Sequence, residues 1–196
     1  MPVLRLFLAI DIPSHARETV VSIQNRFKTL GLNASWVQPE NIHLTLKFLG
    51  DTPSERVTGI RIRVSEAVKS YPVFKVALDG AIVFPNLKKP RFLWIDLKDP
   101  YNHLTILQEK IDAKMGQLGF PREKKKFNPH LTLARIKPSK GKVREFFENL
   151  KQGVGSIPQI DADFFQVSFV RLVQSELTPG GSIYTILGEF PLEQDA

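Results

Sequence analysis

An apolar run over residues 4–10, interrupted only by Arg5 and closed by Asp11 and Pro13, opens the chain; at that length it reads as a buried strand. Ser14 stands where a helix cap is needed, and the helix predicted over residues 14–30 is ended by Gly31. After a turn at Gln38-Pro39-Glu40, the stretch Ile42-His43-Leu44-Thr45-Leu46 alternates apolar and polar side chains as a half-buried strand does, and Gly50-Asp51 is expected to stop it. Val57, Ile60, Val64 and Val68 then recur at helical spacing, which predicts a second helix opened by Thr52 or Ser54 and running to about residue 69. Residues 74–84 and 91–97 have the character of two strands joined by the proline-bounded loop 85–90.

The same order then starts again. Asp99-Pro100 introduces a helix to about residue 118, ended by Gly119, and the basic loop Arg122-Glu123-Lys124-Lys125-Lys126 leads to a second alternating strand, Pro129-His130-Leu131-Thr132-Leu133. Ser139-Lys140-Gly141 precedes a short helix to about residue 150, and strands near residues 160–174 and 182–190 close the chain. Strand, helix, His-Thr strand, helix, strand thus occurs twice, within one domain spanning residues 1–196 with its motifs at 43–46 and 130–133. This is an α+β pattern of two similar lobes. Two lobes leave a cleft between them, and each supplies one His-Thr strand to it.

Composition narrows the chemistry. With 42% hydrophobic and 24% charged residues among 196, the chain has enough apolar material for a proper core. The 27 Lys and Arg against 20 Asp and Glu give a net charge of +7, which favours polyanionic partners such as nucleic acid. No cysteine is present, so disulfides, a thiol nucleophile and Cys-containing zinc sites are excluded. No apolar run approaches the roughly 20 residues that span a bilayer, and the start lacks a signal-peptide pattern. We therefore expect a cytoplasmic protein with no membrane partner.

Alternation gives each motif strand one chemical face: His43 shares it with Thr45, and His130 with Thr132, while the leucines point the other way. Residues two apart on such a face lie about 7 Å apart at the backbone, so an imidazole and a hydroxyl can converge on one anion. The other two histidines differ. His15 falls in the first turn of the first helix and reads as a surface residue. His103 belongs to Asn102-His103-Leu104-Thr105, which repeats the letters, but Leu104, Leu107, Ile111 and Met115 recur at helical spacing there. In a helix residues two apart point about 200° apart, so His103 and Thr105 cannot serve one ligand.

Two strand histidines facing one phosphate suit acid–base phosphodiester chemistry, one taking a proton from the attacking oxygen and the other giving one to the leaving oxygen. Taken singly, either motif reads more readily as a hydrogen-bonded core histidine beside a strand threonine. The matched pair in a basic chain favours the phosphate. Catalytic zinc takes three protein ligands, and no third His or carboxylate stands at a recognisable spacing, so no metal is expected.

These residues resemble the two-histidine phosphoesterases, and within them the bacterial and archaeal RNA 2′,3′-cyclic phosphodiesterases, historically called 2′-5′ RNA ligases. The resemblance rests on Arg5-Leu6-Phe7-Leu8-Ala9-Ile10-Asp11, on Asn41-Ile42-His43-Leu44-Thr45-Leu46-Lys47-Phe48-Leu49-Gly50 and on Phe127-Asn128-Pro129-His130-Leu131-Thr132-Leu133-Ala134-Arg135, with residues 175–185 similar to the family's closing hairpin. It implies a bilobal fold of two pseudo-symmetric lobes, each with a mainly antiparallel sheet and helices, around an active-site cleft. It also implies a reaction in which water opens a 2′,3′-cyclic phosphate at an RNA terminus and leaves a 2′-phosphate. In that reaction His43 is the proton donor to the departing 3′ oxygen and His130 the proton acceptor that activates water.

Thr45, Thr132 and Arg135 are expected to bind the phosphate. Arg135 resembles the family's phosphate-proximal arginine, yet five residues after His130 it reaches that face only if a bulge or bend interrupts the strand. Tyr184, Phe48 and Phe7 are aromatic positions able to flank a base, Phe7 and Phe48 reading first as core. Lys124, Lys125 and Lys126 stand close enough to the second motif to steer an RNA backbone. The expected partner is RNA with a 2′,3′-cyclic phosphate terminus, acted on by a monomer without a cofactor. Two other functions fit the same residues: 2′-5′ joining of RNA ends, and RNA binding without turnover. No Gly-rich phosphate loop or nucleotide-activating lysine motif supports an ATP-driven ligase.

Overall fold

The computed structural model describes residues 2–137, 142–151 and 164–194. Strand β1 (Val3–Asp11) leads to helix α1 (Ser14–Thr29), the short strand β2 (Ala34–Trp36), β3 (His43–Pro53) and α2 (Val57–Val68). Then come β4 (Phe74–Phe84), β5 (Phe92–Lys98), α3 (His103–Gln117), β6 (His130–Ile136), α4 (Lys142–Lys151), β7 (Phe164–Val167), β8 (Phe169–Thr178) and β9 (Gly181–Pro191). The helices bury the stripes that their spacing predicts: Ile60, Val64 and Val68 on α2, and Leu104, Leu107, Ile111 and Met115 on α3. No helix among the described residues is long and apolar enough to cross a membrane.

The strands join in one sheet of order β7-β4-β5-β6-β3-β1-β8-β9, with β2 also pairing with β6. Every pairing is antiparallel. The two lobes meet at the centre of this order, where β3 and β6 pair through Leu44 and Leu131. A strand from each half of the sequence crosses to the opposite lobe: β4 adds to β5, and β8 adds to β1. Alternation sorts the two faces of the sheet. On β1, Leu6, Leu8 and Ile10 enter the large core shared with the helices, whereas Phe7 and Ala9 form a small cluster with Val173 and Tyr184 on the other side. That second face lines the cleft.

Several boundaries differ from those read off the sequence, each for a physical reason. Helix α1 does begin at Ser14, but Pro13 is its cap residue and no side chain caps it; at the first helical position the Ser14 hydroxyl comes one residue too late for capping. Gly50-Asp51 does not stop β3, which continues to Pro53. Leu6 faces Gly50 while Phe7 faces Phe48, so Leu49 is the extra residue of a bulge, and Gly50 takes the positive φ of +69° that follows it. A single turn over Ser54–Arg56 precedes α2. The one strand expected over residues 160–174 is two strands parted at Ser168, β7 on β4 and β8 on β1. Burial changes parity there, from Phe165 and Val167 to Val170 and Leu172. Residues 160–163 of that expected strand, and Ser139-Lys140-Gly141 ahead of α4, lie outside the described residues.

Candidate active site

Each motif histidine is the first residue of its strand, and that position lets the ring turn back on the chain. His43 Nδ1 lies 2.7 Å from the carbonyl oxygen of Asn41, and His130 Nδ1 lies 2.7 Å from that of Asn128. A carbonyl only accepts, so each Nδ1 carries a proton and each Nε2 is the nitrogen left for chemistry. His43 Nε2 is 3.0 Å from Thr45 Oγ1, and with Nδ1 protonated a neutral His43 accepts that bond from the hydroxyl.

The Leu44–Leu131 pair fixes how the motifs meet. Continued by one residue each way, that register sets His43 beside Thr132 and Thr45 beside His130. The histidines are therefore diagonal neighbours, about 7–8 Å apart along the backbone and somewhat closer at Cβ, a spacing that admits a phosphate. His43, Thr45, His130 and Thr132 line one cleft of about 620 Å³, together with Arg135, Phe48 and Tyr184.

A bulge brings Arg135 to this face. Trp94 pairs with Thr132 but Leu93 pairs with Ala134, so Leu133 is an extra residue and the strand's parity reverses after it. The first motif strand carries the same irregularity at Leu46, between the pairs Ala9–Thr45 and Leu8–Lys47. Phe48 and Arg135 are the equivalent residues beyond the two bulges. Matching strands thus present an aromatic ring in one lobe and a guanidinium in the other. Gln24, fully buried on α1, braces the second bulge: its Nε2 donates to the carbonyls of Leu133 and Val37, 2.9 Å each.

An aromatic ring backs each imidazole. Phe7 stacks on His43 with centroids 4.8 Å apart, and Trp94 stacks on His130 at 3.6 Å with Phe84 3.9 Å from Trp94. Tyr184 meets His43 edge-on at 5.4 Å. Phe7 is buried, though in the small cluster on the cleft side rather than in the main core; Phe48 is no core residue at all, being 71% exposed at the cleft.

Charge separates the two histidines. Burial lowers the His43 pKa and Arg17 lowers it further, against the upward pull of the Asn41 bond. Burial also lowers His130, but here both the Asn128 bond and the Asp96 carboxylate oppose it, Asp96 being its cross-strand neighbour. Asp11, which faces His43 across β1 and β3, is instead paired with Arg171. Arg17 donates to the carbonyls of Ile12, Pro39 and Ile42, and so ties down the turn that delivers His43.

His103 takes no part in this site. It stands at the start of α3, stacked on Phe74 at 4.8 Å, and its carbonyl accepts from Tyr71 Oη. His15 lies on α1 with Nε2 3.4 Å from the Phe164 carbonyl. Of the three-lysine run, Lys126 lines a groove of about 450 Å³ that shares His130 with the cleft. Among the described residues no group of three or more His, Cys, Asp or Glu is arranged to hold a metal ion. Sequence reasoning misses Trp94, Gln24 and Arg17, because each acts through strand pairing or backbone carbonyls that carry no local motif. A lone Gln on the apolar stripe of the first helix is the one signal that marks Gln24.

The family model for LigT-like phosphoesterases matches the chain twice, over residues 10–94 and 95–184. The chain belongs to this family. Each match contains one His-Thr strand, so the twofold pattern of this LigT-like phosphoesterase is the family's own repeat. The RNA 2′,3′-cyclic phosphodiesterase of Methanothermobacter thermautotrophicus is 34% identical over 188 residues, covering 96% of this chain and 98% of that protein. Its namesake from Methanocaldococcus jannaschii is 35% identical over 191 residues, covering 95% and 100%. Among solved structures, a Thermus thermophilus protein superposes with a TM-score of 0.80 at 28% identity, covering 98% of this chain and 100% of its own. E. coli LigT complexed with 3′-AMP gives 0.78 at 25% identity with the same coverage. These likenesses carry the α+β fold with its paired halves.

Proposed function

We propose that this LigT-like phosphoesterase hydrolyses 2′,3′-cyclic phosphate ends of RNA to 2′-phosphates, by metal-independent acid–base catalysis between His43 and His130. The observation that carries this reading is the pair of imidazoles, each anchored through Nδ1 and each facing one cleft, at a spacing that fits a phosphate. The names of its relatives and the 3′-AMP bound to E. coli LigT agree with a ribonucleotide substrate.

In the proposed step His130 Nε2 removes a proton from water while the water oxygen bonds to phosphorus. The bond from phosphorus to the 3′ oxygen breaks, and protonated His43 delivers its Nε2 proton to that oxygen, leaving a 3′-hydroxyl and a 2′-phosphate. Thr45, Thr132 and Arg135 hold the non-bridging oxygens, where hydrogen bonds to a charged group are each worth about 1.5–3 kcal/mol. Arg17 makes the His43 imidazolium a stronger acid and Asp96 makes His130 a stronger base, which supports this division of roles. Phe48 and Tyr184 offer ring faces to the terminal base. Both histidines come from one chain, so a monomer suffices.

Turnover of an oligonucleotide ending in a 2′,3′-cyclic phosphate, with chelator present, tests the reading. His43→Ala and His130→Ala should each lose on the order of 10² to 10⁴ in kcat. His103→Ala should behave as wild type. Equal rates in all four proteins, or strand lengthening in place of 2′-phosphate release, would refute it.

A further inference from the structure

Besides Arg135, the cleft holds a second guanidinium that the chemistry at the histidines does not use. Arg5 lines the same cleft from β1. Among the described residues no hydrogen bond or ion pair engages it, and its charge is felt by the Tyr184 phenol. Its position is set by register. Moving along β3 from His43, the cleft meets first Thr45, then Phe48 opposite Phe7, and then Asp51 opposite Arg5. Arg135 lies on β6, which runs antiparallel to β3, and so falls on the other side of the histidines. Chemically the order along the first lobe is phosphate site, exposed aromatic ring, cation.

An RNA chain repeats phosphate, nucleoside, phosphate. We infer that Arg5 receives the phosphate on the 5′ side of the terminal nucleoside, so that the site selects oligonucleotide or 5′-phosphorylated cyclic phosphates over bare nucleoside 2′,3′-cyclic phosphates. This rests on the proposed activity and adds a specificity determinant to it. Ser175 and Ser182 line the same cleft and add hydroxyl donors to it. The β8–β9 hairpin that carries them is tied to the His43 turn, because Asn41 Nδ2 donates to the Ser182 carbonyl at 2.7 Å. Among the described residues that line the cleft, Asp51 is the one carboxylate; directly opposite Arg5, it weakens the attraction for phosphate.

The test compares kcat/KM for three compounds: a nucleoside 2′,3′-cyclic phosphate, the same compound bearing a 5′-phosphate, and a dinucleotide ending in the cyclic phosphate. Wild type should favour the latter two by about tenfold, the effect of one charge-assisted contact. Arg5→Gln should bring that ratio close to one, Arg5→Lys should retain most of it, and Asp51→Asn should raise it. The salt slope for dinucleotide binding should fall by about 0.7 in Arg5→Gln, as expected for one lost phosphate contact on a single strand. An unchanged ratio and slope in Arg5→Gln, with wild type active on all three compounds, overturns the role of Arg5 and leaves the cyclic phosphodiesterase reading intact. Failure of wild type to turn over any of the three overturns both.

Discussion

Asp96 and Arg17 give the two active-site imidazoles different proton affinities. Burial holds both below the ordinary histidine value of 6.5; the carboxylate beside His130 pulls that ring back up, whereas the guanidinium near His43 pushes its ring further down. Catalysis needs one ring charged and one neutral, so kcat/KM is bell-shaped with limbs at the two lowered pKa values. Its maximum should therefore fall on the acid side of pH 6.5. Asp96→Asn removes an upward pull on His130, so its pKa drops and the limb that His130 governs moves to lower pH while the other limb stays. A profile of kcat/KM against pH for the two proteins checks this; a profile in which neither limb moves would show that Asp96 is not coupled to His130.

The bulges at Leu46 and Leu133 are the elements that turn two ordinary strands into a site. They explain why the motif is readable and its fifth following position is not. His43 with Thr45 and His130 with Thr132 are two residues apart, before any irregularity, so period-two alternation places them correctly from sequence. Phe48 and Arg135 lie beyond an extra residue that no local pattern announces, which is why Arg135 looks misdirected and Phe48 looks like core. The helices were legible because their apolar stripes are long; the break at Ser168 was not, because a one-residue parity slip inside an apolar run resembles continued strand. Gln24 permits a direct test of the second bulge. Gln24→Leu removes a donor from the Val37 and Leu133 carbonyls, and should destabilise the protein by about 1–3 kcal/mol in urea unfolding. If the bulge aims Arg135, inorganic phosphate should also inhibit the variant more weakly. Lost stability with unchanged phosphate inhibition would show that the bulge stands without Gln24.

At the scale of the whole molecule, the first motif strand is held to the helical layer behind it by more than apolar packing. A buried ion pair joins β3 to α3. Lys47 on β3 is 8% exposed, Asp112 on α3 is 4% exposed, and Lys47 Nζ lies 2.5 Å from Asp112 Oδ1 and 2.8 Å from the Pro121 carbonyl. Arg122 Nε, 2.5 Å from Oδ2, and the Glu123 backbone N–H, 3.2 Å from Oδ1, complete the set of donors to the carboxylate. Burial alone would raise the Asp112 pKa, but these bonds outweigh it and hold it below 3.8. Its folded-state pKa is depressed, so the stabilisation is present above that value and is lost as pH falls through the lower folded one. Lys47→Met strands a buried carboxylate and should cost about 3–5 kcal/mol. The double variant Lys47→Met, Asp112→Leu should recover part of that, limited by the Pro121 and Glu123 backbone groups it leaves unpaired. Urea unfolding of the three proteins at neutral and acidic pH separates the possibilities. If the ion pair carries the loss, the deficit of Lys47→Met should shrink on acidification as Asp112 takes up its proton; a deficit independent of pH would assign the loss to packing of the lysine stem instead.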